Sequence, residues 1–217
     1  MIRTFLLGVL AVLVVAWSAP VVAQEMVTVR ITNVSKQIIS PPLVATHSWK
    51  ARVFIPGRAA SSELSMLAED GDPSALAALL GDSDEVLDMK VADGPLLPGA
   101  TLDFELEARG RYNRVSAIGM LVTTNDAFYG VESLSLSNSQ RVNRFTVPAY
   151  DAGSEANNES CAFIPGPPCG NGGVRATAGA EGYIHVHRGI HGVGDLPSIG
   201  YDWRNPVARI SVIREGI

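Results

Sequence analysis

Cysteine is scarce in this 217-residue chain, with two residues, and charged side chains make up only 18% of it. Basic residues number 17 against 22 acidic ones, for a net charge of −5. No basic patch with interleaved aromatics occurs, which speaks against a nucleic-acid partner. So modest a charge also speaks against electrostatic attachment to a membrane. After the N-terminal region, no apolar run is long enough to span a bilayer. There is no Gly-x-Ser-x-Gly elbow, no His-Glu-x-x-His, no phosphate loop and no dinucleotide fingerprint, so the chain reads as a non-enzyme. Few charges together with 21 glycines suit strands and turns better than long helices.

The N-terminus has a form of its own. Arg3 precedes an apolar run from Phe5 to Trp17, Pro20 breaks it, and Val21-Val22-Ala23 offers small residues for cleavage. This is the pattern of a secretory signal peptide over residues 1–23, with an uncleaved N-terminal anchor as the alternative. Its removal leaves residues 24–217, about one domain, in a secreted or periplasmic setting and without a membrane span. In such a setting the pair Cys161 and Cys169, separated only by AFIPGPP, reads as a disulfide. The alternative is a thiolate metal site, although the close cysteine pairs usual in such sites are missing.

Periodicity predicts a mainly β chain. VTVRIT (27–32), TLDFELEA (101–108) and PVARISVIRE (206–215) alternate at period two, and RVSAIGMLVTT (114–124) reads as a longer central strand. Shorter strands are expected over VLDMKVAD, VNRFTVPAY and YIHVHRG, while VESLSLS is ambiguous. Pro41 and Pro42 point to an edge or an extended crossover in ISPPLVATHS. Two short helices are expected, one capped by Ser61 or Ser62 and closed by Gly71, the other opened by Asp72-Pro73 and closed by Gly81. A long loop should run from Asp151 to about Gly179. The fold class is an antiparallel β-sandwich with two short helices in a connecting segment.

Two groups of side chains carry candidate chemistry. Asp126 follows a strand, and Asp151 and Glu155 bracket an Ala-Gly-Ser turn, with Asn157 just beyond. Calcium takes six to eight oxygens from flexible loops, and two converging loops would supply three carboxylates. The alternative is that the aspartates only cap turns through their own backbone. The second group is EGYIHVHRGIHG (181–192), which holds three of the four histidines. On a strand, His185 and His187 share a face, and Gly189 would let His191 return as a third ligand to zinc or copper, with His47 as a fourth; the alternative function is then a zinc- or copper-binding protein, or a hydrolase acting through a zinc-bound water. Packing, hydrogen bonding or pH sensing are the other roles open to these imidazoles.

The segments TTNDAFYGVESLSL (123–136), PAYDAGSEAN (148–157) and PVARISVI (206–213) resemble the N-terminal domain of the spondin family. Asp126 with Phe128 and Gly130 matches the first family motif, Tyr150 to Glu155 the second, and Ala208-Arg209 the closing strand. The resemblance implies a C2-like β-sandwich with calcium held by Asp126, Asp151 and Glu155. It implies binding or adhesion to a protein or glycan ligand at the cell surface, rather than catalysis. Two features depart from the family pattern: Glu155 stands where the motif has aspartate, and the histidine run and cysteine loop have no counterpart in it.

Overall fold

The computed structural model describes residues 25–136 and 141–214, so the N-terminal signal-like segment lies outside the described residues. In chain order the elements are β1 (Glu25–Asn33), β2 (Leu43–His47), α1 (Ser62–Asp70), α2 (Ser74–Gly81), β3 (Val86–Val91), β4 (Thr101–Ala108), β5 (Arg114–Met120), β6 (Ala127–Ser135), β7 (Val142–Val147), β8 (Ala149–Asp151), β9 (His185–Val186), α3 (Ser198–Tyr201) and β10 (Ala208–Arg214). They form two antiparallel sheets, a four-stranded one in the order β4-β1-β10-β7 and a six-stranded one in the order β3-β2-β5-β6-β8-β9.

The alternation of β1 and β4 has a direct structural cause. Val27, Val29 and Ile31 face inward beside Phe104 and Leu106, while the Arg30 guanidinium meets the Asp103 carboxylate on the outer face. Ile210 and Val212 of β10 continue this inner face, and Ala117, Tyr129 and Val131 of the other sheet pack into the same core. That shared core makes the pair of sheets a sandwich. The β5 strand is buried along almost its whole length because both of its faces are covered. Val115 and Ala117 point between the sheets, and Ile118 and Met120 join a second core with Leu64, Leu67, Leu76 and Leu80 of the helices. Each such fully buried leucine contributes about 1.5–3 kcal/mol.

The helix boundaries follow the expected signals. Ser61 Oγ accepts from the Leu64 N–H at 3.2 Å, and Gly71 ends α1 in the left-handed region at φ 71°. Asp72 Oδ1 accepts from the Ser74 N–H at 2.9 Å just ahead of α2, and Pro73 takes the N-cap position, already in helical conformation. Among the described residues no helix is long and apolar enough to cross a membrane.

Three strand expectations need correction. The chain turns into strand directly after Pro42, and β2 lies inside the six-stranded sheet between β3 and β5, not at an edge. The prolines stop short of the ladder, so they do not forbid it. VNRFTVPAY is not one strand: Pro148 separates β7 from β8, and the two belong to different sheets. The histidine strand is only two residues long, and the helix α3 carries no sequence signal that predicted it.

Candidate metal centre

The site grows from the pairing of β6 with β8. Their register sets Ala127 opposite Asp151, and the Ala152 N–H donates to the Asp126 carbonyl at 3.1 Å. Asp126 and Asp151, 25 positions apart by their numbers, are thereby brought to one end of the sheet. The chain then turns at Gly153, whose φ is 68° and whose missing Cβ would fall 2.4 Å from the Tyr183 carbonyl oxygen. Only glycine fits a left-handed turn pressed this closely against another backbone. The contact carries the segment 181–185 alongside Asp151, and β9 completes the approach by pairing His185 with Asp151.

All three carboxylates named from the sequence are buried. One oxygen of Asp126, Oδ2, accepts from the Ser154 N–H at 2.8 Å and the Glu155 N–H at 3.0 Å. The other, Oδ1, is shut away from solvent with no hydrogen-bond donor. Burial, reinforced by the neighbouring Asp151 charge, pushes the Asp126 carboxyl well above the usual carboxylate range. Burial likewise raises Asp151, whose Oδ1 accepts from the Gly153 N–H at 2.7 Å and whose Oδ2 accepts from the Asn157 amide. Glu155 accepts from the Ala176 N–H at 2.8 Å through Oε1, and its Oε2 has no donor. Burial pushes its carboxyl up to about 7.

A buried ionised oxygen without a donor is costly unless a cation or a proton meets it. The all-oxygen donors of Asp126, Asp151 and Glu155 are of the kind a hard cation takes, and Asp126 and Glu155 each keep one buried oxygen without a donor, but the oxygens of the three do not all lie within 4.8 Å of one another. Asn157 serves differently from the expectation: its amide NH2 donates to Asp151, and its oxygen accepts from His187 Nε2 at 2.8 Å.

The histidines do not act as one set. His187 is buried, and its Nδ1 accepts from the Gly189 N–H at 2.9 Å, which leaves the proton on Nε2 for Asn157. Both ring nitrogens are therefore occupied, and burial pushes this imidazole down to about 3. His191 is exposed. His47 is buried on β2, between the Ser48 carbonyl at 2.7 Å and the Ser116 hydroxyl at 2.8 Å. His185 Nε2 lies 3.8 Å from Asp151 Oδ2, and His187 Nε2 lies 3.9 Å from the same oxygen. Among the described residues, the His, Asp and Glu group whose ligand atoms all lie within 4.8 Å of one another is Asp151, Glu181 and His185.

Glu181 is the member that sequence reading missed. It stands four residues before His185 in the same stretch, and on a regular strand that spacing would separate them by about 13 Å. Gly182, at φ 80°, breaks the strand and brings Glu181 back. Another missed residue is Glu159, whose carboxylate accepts from the Gly192 N–H at 2.7 Å and the Val193 N–H at 2.8 Å and so pins the loop that carries His191. The disulfide is formed as expected between Cys161 and Cys169, in the loop between β8 and β9.

The chain has no match among curated proteins. The Spondin_N family model matches residues 22–161, more than half of the chain, in a span that contains Asp126, Asp151 and Glu155 and stops before the histidine strand; the chain belongs to the Spondin_N family.

Proposed function

We infer that this protein is an exported, non-catalytic binding module of the cell envelope or extracellular space, with calcium held by Asp126, Asp151 and Glu155 and a protein or glycan at the cell surface as its partner. The observation that carries this reading is the Asp126 carboxylate, which is buried beside Asp151 with one oxygen lacking any donor. Family membership supports a spondin-like module. The disulfide between Cys161 and Cys169 supports an oxidising compartment.

Calcium would neutralise the paired carboxylates and tie the turn at 152–155 to the start of β6, giving the end of the sandwich a fixed surface. Thermal unfolding of the chelator-stripped protein against added calcium tests this. A ligand that binds only the folded state adds about 2.7 kcal/mol at a hundred times its dissociation constant. The melting temperature should rise with calcium in the wild type and stay flat in Asp126→Asn. The Asn substitution keeps the side chain's shape and one of its oxygens but removes the charge. No calcium response in the wild type would sink the reading.

A further inference from the structure

The group Asp151, Glu181 and His185 has features the calcium reading does not use. The Tyr183 carbonyl, 3.2 Å from His185 Nδ1, can only accept, so the ring proton sits on Nδ1. Nε2 then presents its lone pair, and it faces Asp151 Oδ2 at 3.8 Å. A backbone carbonyl that fixes the tautomer in this way is the usual second partner of a metal-binding imidazole. Glu181 brings a further carboxylate, and its Oε2 is shielded from solvent without a donor. Two acids and an imidazole lone pair thus converge, faced by the neutral Asn157 amide, which donates to Asp151 and, at 3.4 Å, to Glu181 Oε1.

We propose that Asp151, Glu181 and His185 form a second metal site, which takes a first-row divalent cation of the zinc type through one imidazole nitrogen and two carboxylates. Nitrogen and oxygen donors at about 2.0–2.2 Å from a tetrahedral ion lie roughly 3.4 Å apart. The three ligand atoms already lie within 4.8 Å of one another, and Glu181 and His185 are only partly buried, so a small rotation of each closes the site. The three protein ligands leave a coordination position for water or for a partner's side chain. Glu181 and His185 lie beyond the family match, which ends at residue 161, so this site is a property of this chain rather than of the matched region.

The site shares Asp151 with the calcium reading, so the test leaves Asp151 intact and reads the two ions separately. Zinc chloride is titrated calorimetrically into tag-free, chelator-stripped protein, with and without excess calcium. One zinc per chain should bind in both conditions. His185→Ala and Glu181→Gln should each weaken it at least about tenfold, since even the loss of an outer-shell partner costs that much. His191→Ala should leave zinc binding unchanged. The circular dichroism of the two partly exposed variants checks that they fold. Zinc uptake without a calcium response would sink the calcium reading alone. Three results would overturn the second site: no zinc uptake, which would mean that the cluster holds only a proton; uptake insensitive to both His185→Ala and Glu181→Gln; and uptake abolished by calcium, which would mean one shared ion.

Discussion

At His47 the physics of a single buried imidazole can be isolated from any metal. Burial lowers its proton affinity below the ordinary value, and the positive charges of Arg52 and Arg114 act in the same direction. The folded protein therefore holds His47 neutral, whereas the unfolded chain titrates near the ordinary value of about 6.5. The resulting stability is fully present above about pH 6.5 and is lost as the pH falls through the lowered folded value, because the unfolded state takes up a proton that the folded state refuses. A His47→Gln variant lacks this contribution. Its deficit relative to the wild type, measured by urea unfolding, should shrink between about pH 7.5 and pH 5. A deficit that stays constant or widens on acidification would contradict a neutral, buried His47. The same reasoning in reverse applies to Asp126 and Glu155, where burial favours the protonated acid and a cation must compete for the oxygens.

For the helices, α1 shows how one turn of sequence becomes a layer of the fold. Leu64, Leu67 and Ala68 form its buried stripe against β5 and β6, while Met66 on the other side is 42% exposed. Leu67→Ala should cost about 2–5 kcal/mol through lost burial and the cavity left behind. Met66→Ala should stay within about 0.5 kcal/mol, as surface changes usually do. Both are read from the urea midpoint at a common slope, and equal costs would mean that the helix does not seat on the sheet through this stripe. The helix also reaches the loop beyond β8: Asp70 and Glu69 pair with the Arg175 guanidinium, and Arg175 neighbours Ala176, whose N–H holds Glu155. An element built to cover the sheet thus also steadies one wall of the candidate centre.

Across the whole molecule, stability should follow the two-layer design. The first and last strands, β1 and β10, pair with each other along seven positions from Val27↔Arg214 to Asn33↔Ala208, and both are interior to their sheet. The segment between β8 and β9 has no strand of its own, and it is held by the disulfide and by scattered bonds such as Gly166 N–H to the Val122 carbonyl at 2.8 Å. Hydrogen exchange read by mass spectrometry should place the slowest amides in β1, β5 and β10 and much faster ones between residues 156 and 184, where no strand ladder holds the backbone and contact with the core runs through single side chains such as Ile164. Protection of that loop equal to that of β10 would show that it belongs to the cooperative core.

Local chemistry was legible in the residues themselves. The period-two alternation of β1, β4 and β10, the caps at Ser61 and Gly71, the Asp72-Pro73 opening of α2, and the close pair Cys161 and Cys169 are properties of a few neighbouring positions, and each led to the element observed. The acids at 126, 151 and 155 could be named because their turn residues and family motif are equally local. Only the tertiary structure decided what depends on distant partners. It placed β2 inside a sheet, since β3 and β5 flank it from both sides. It divided VNRFTVPAY between two sheets at Pro148. It also separated three histidines that look alike in sequence: His187 is neutral and committed to Asn157, His191 is exposed, and His185 faces Asp151 beside a glutamate returned by Gly182. Burial and convergence, which set a side chain's charge and its capacity to bind an ion, come from strand pairing across long sequence separations, and no local pattern encodes them.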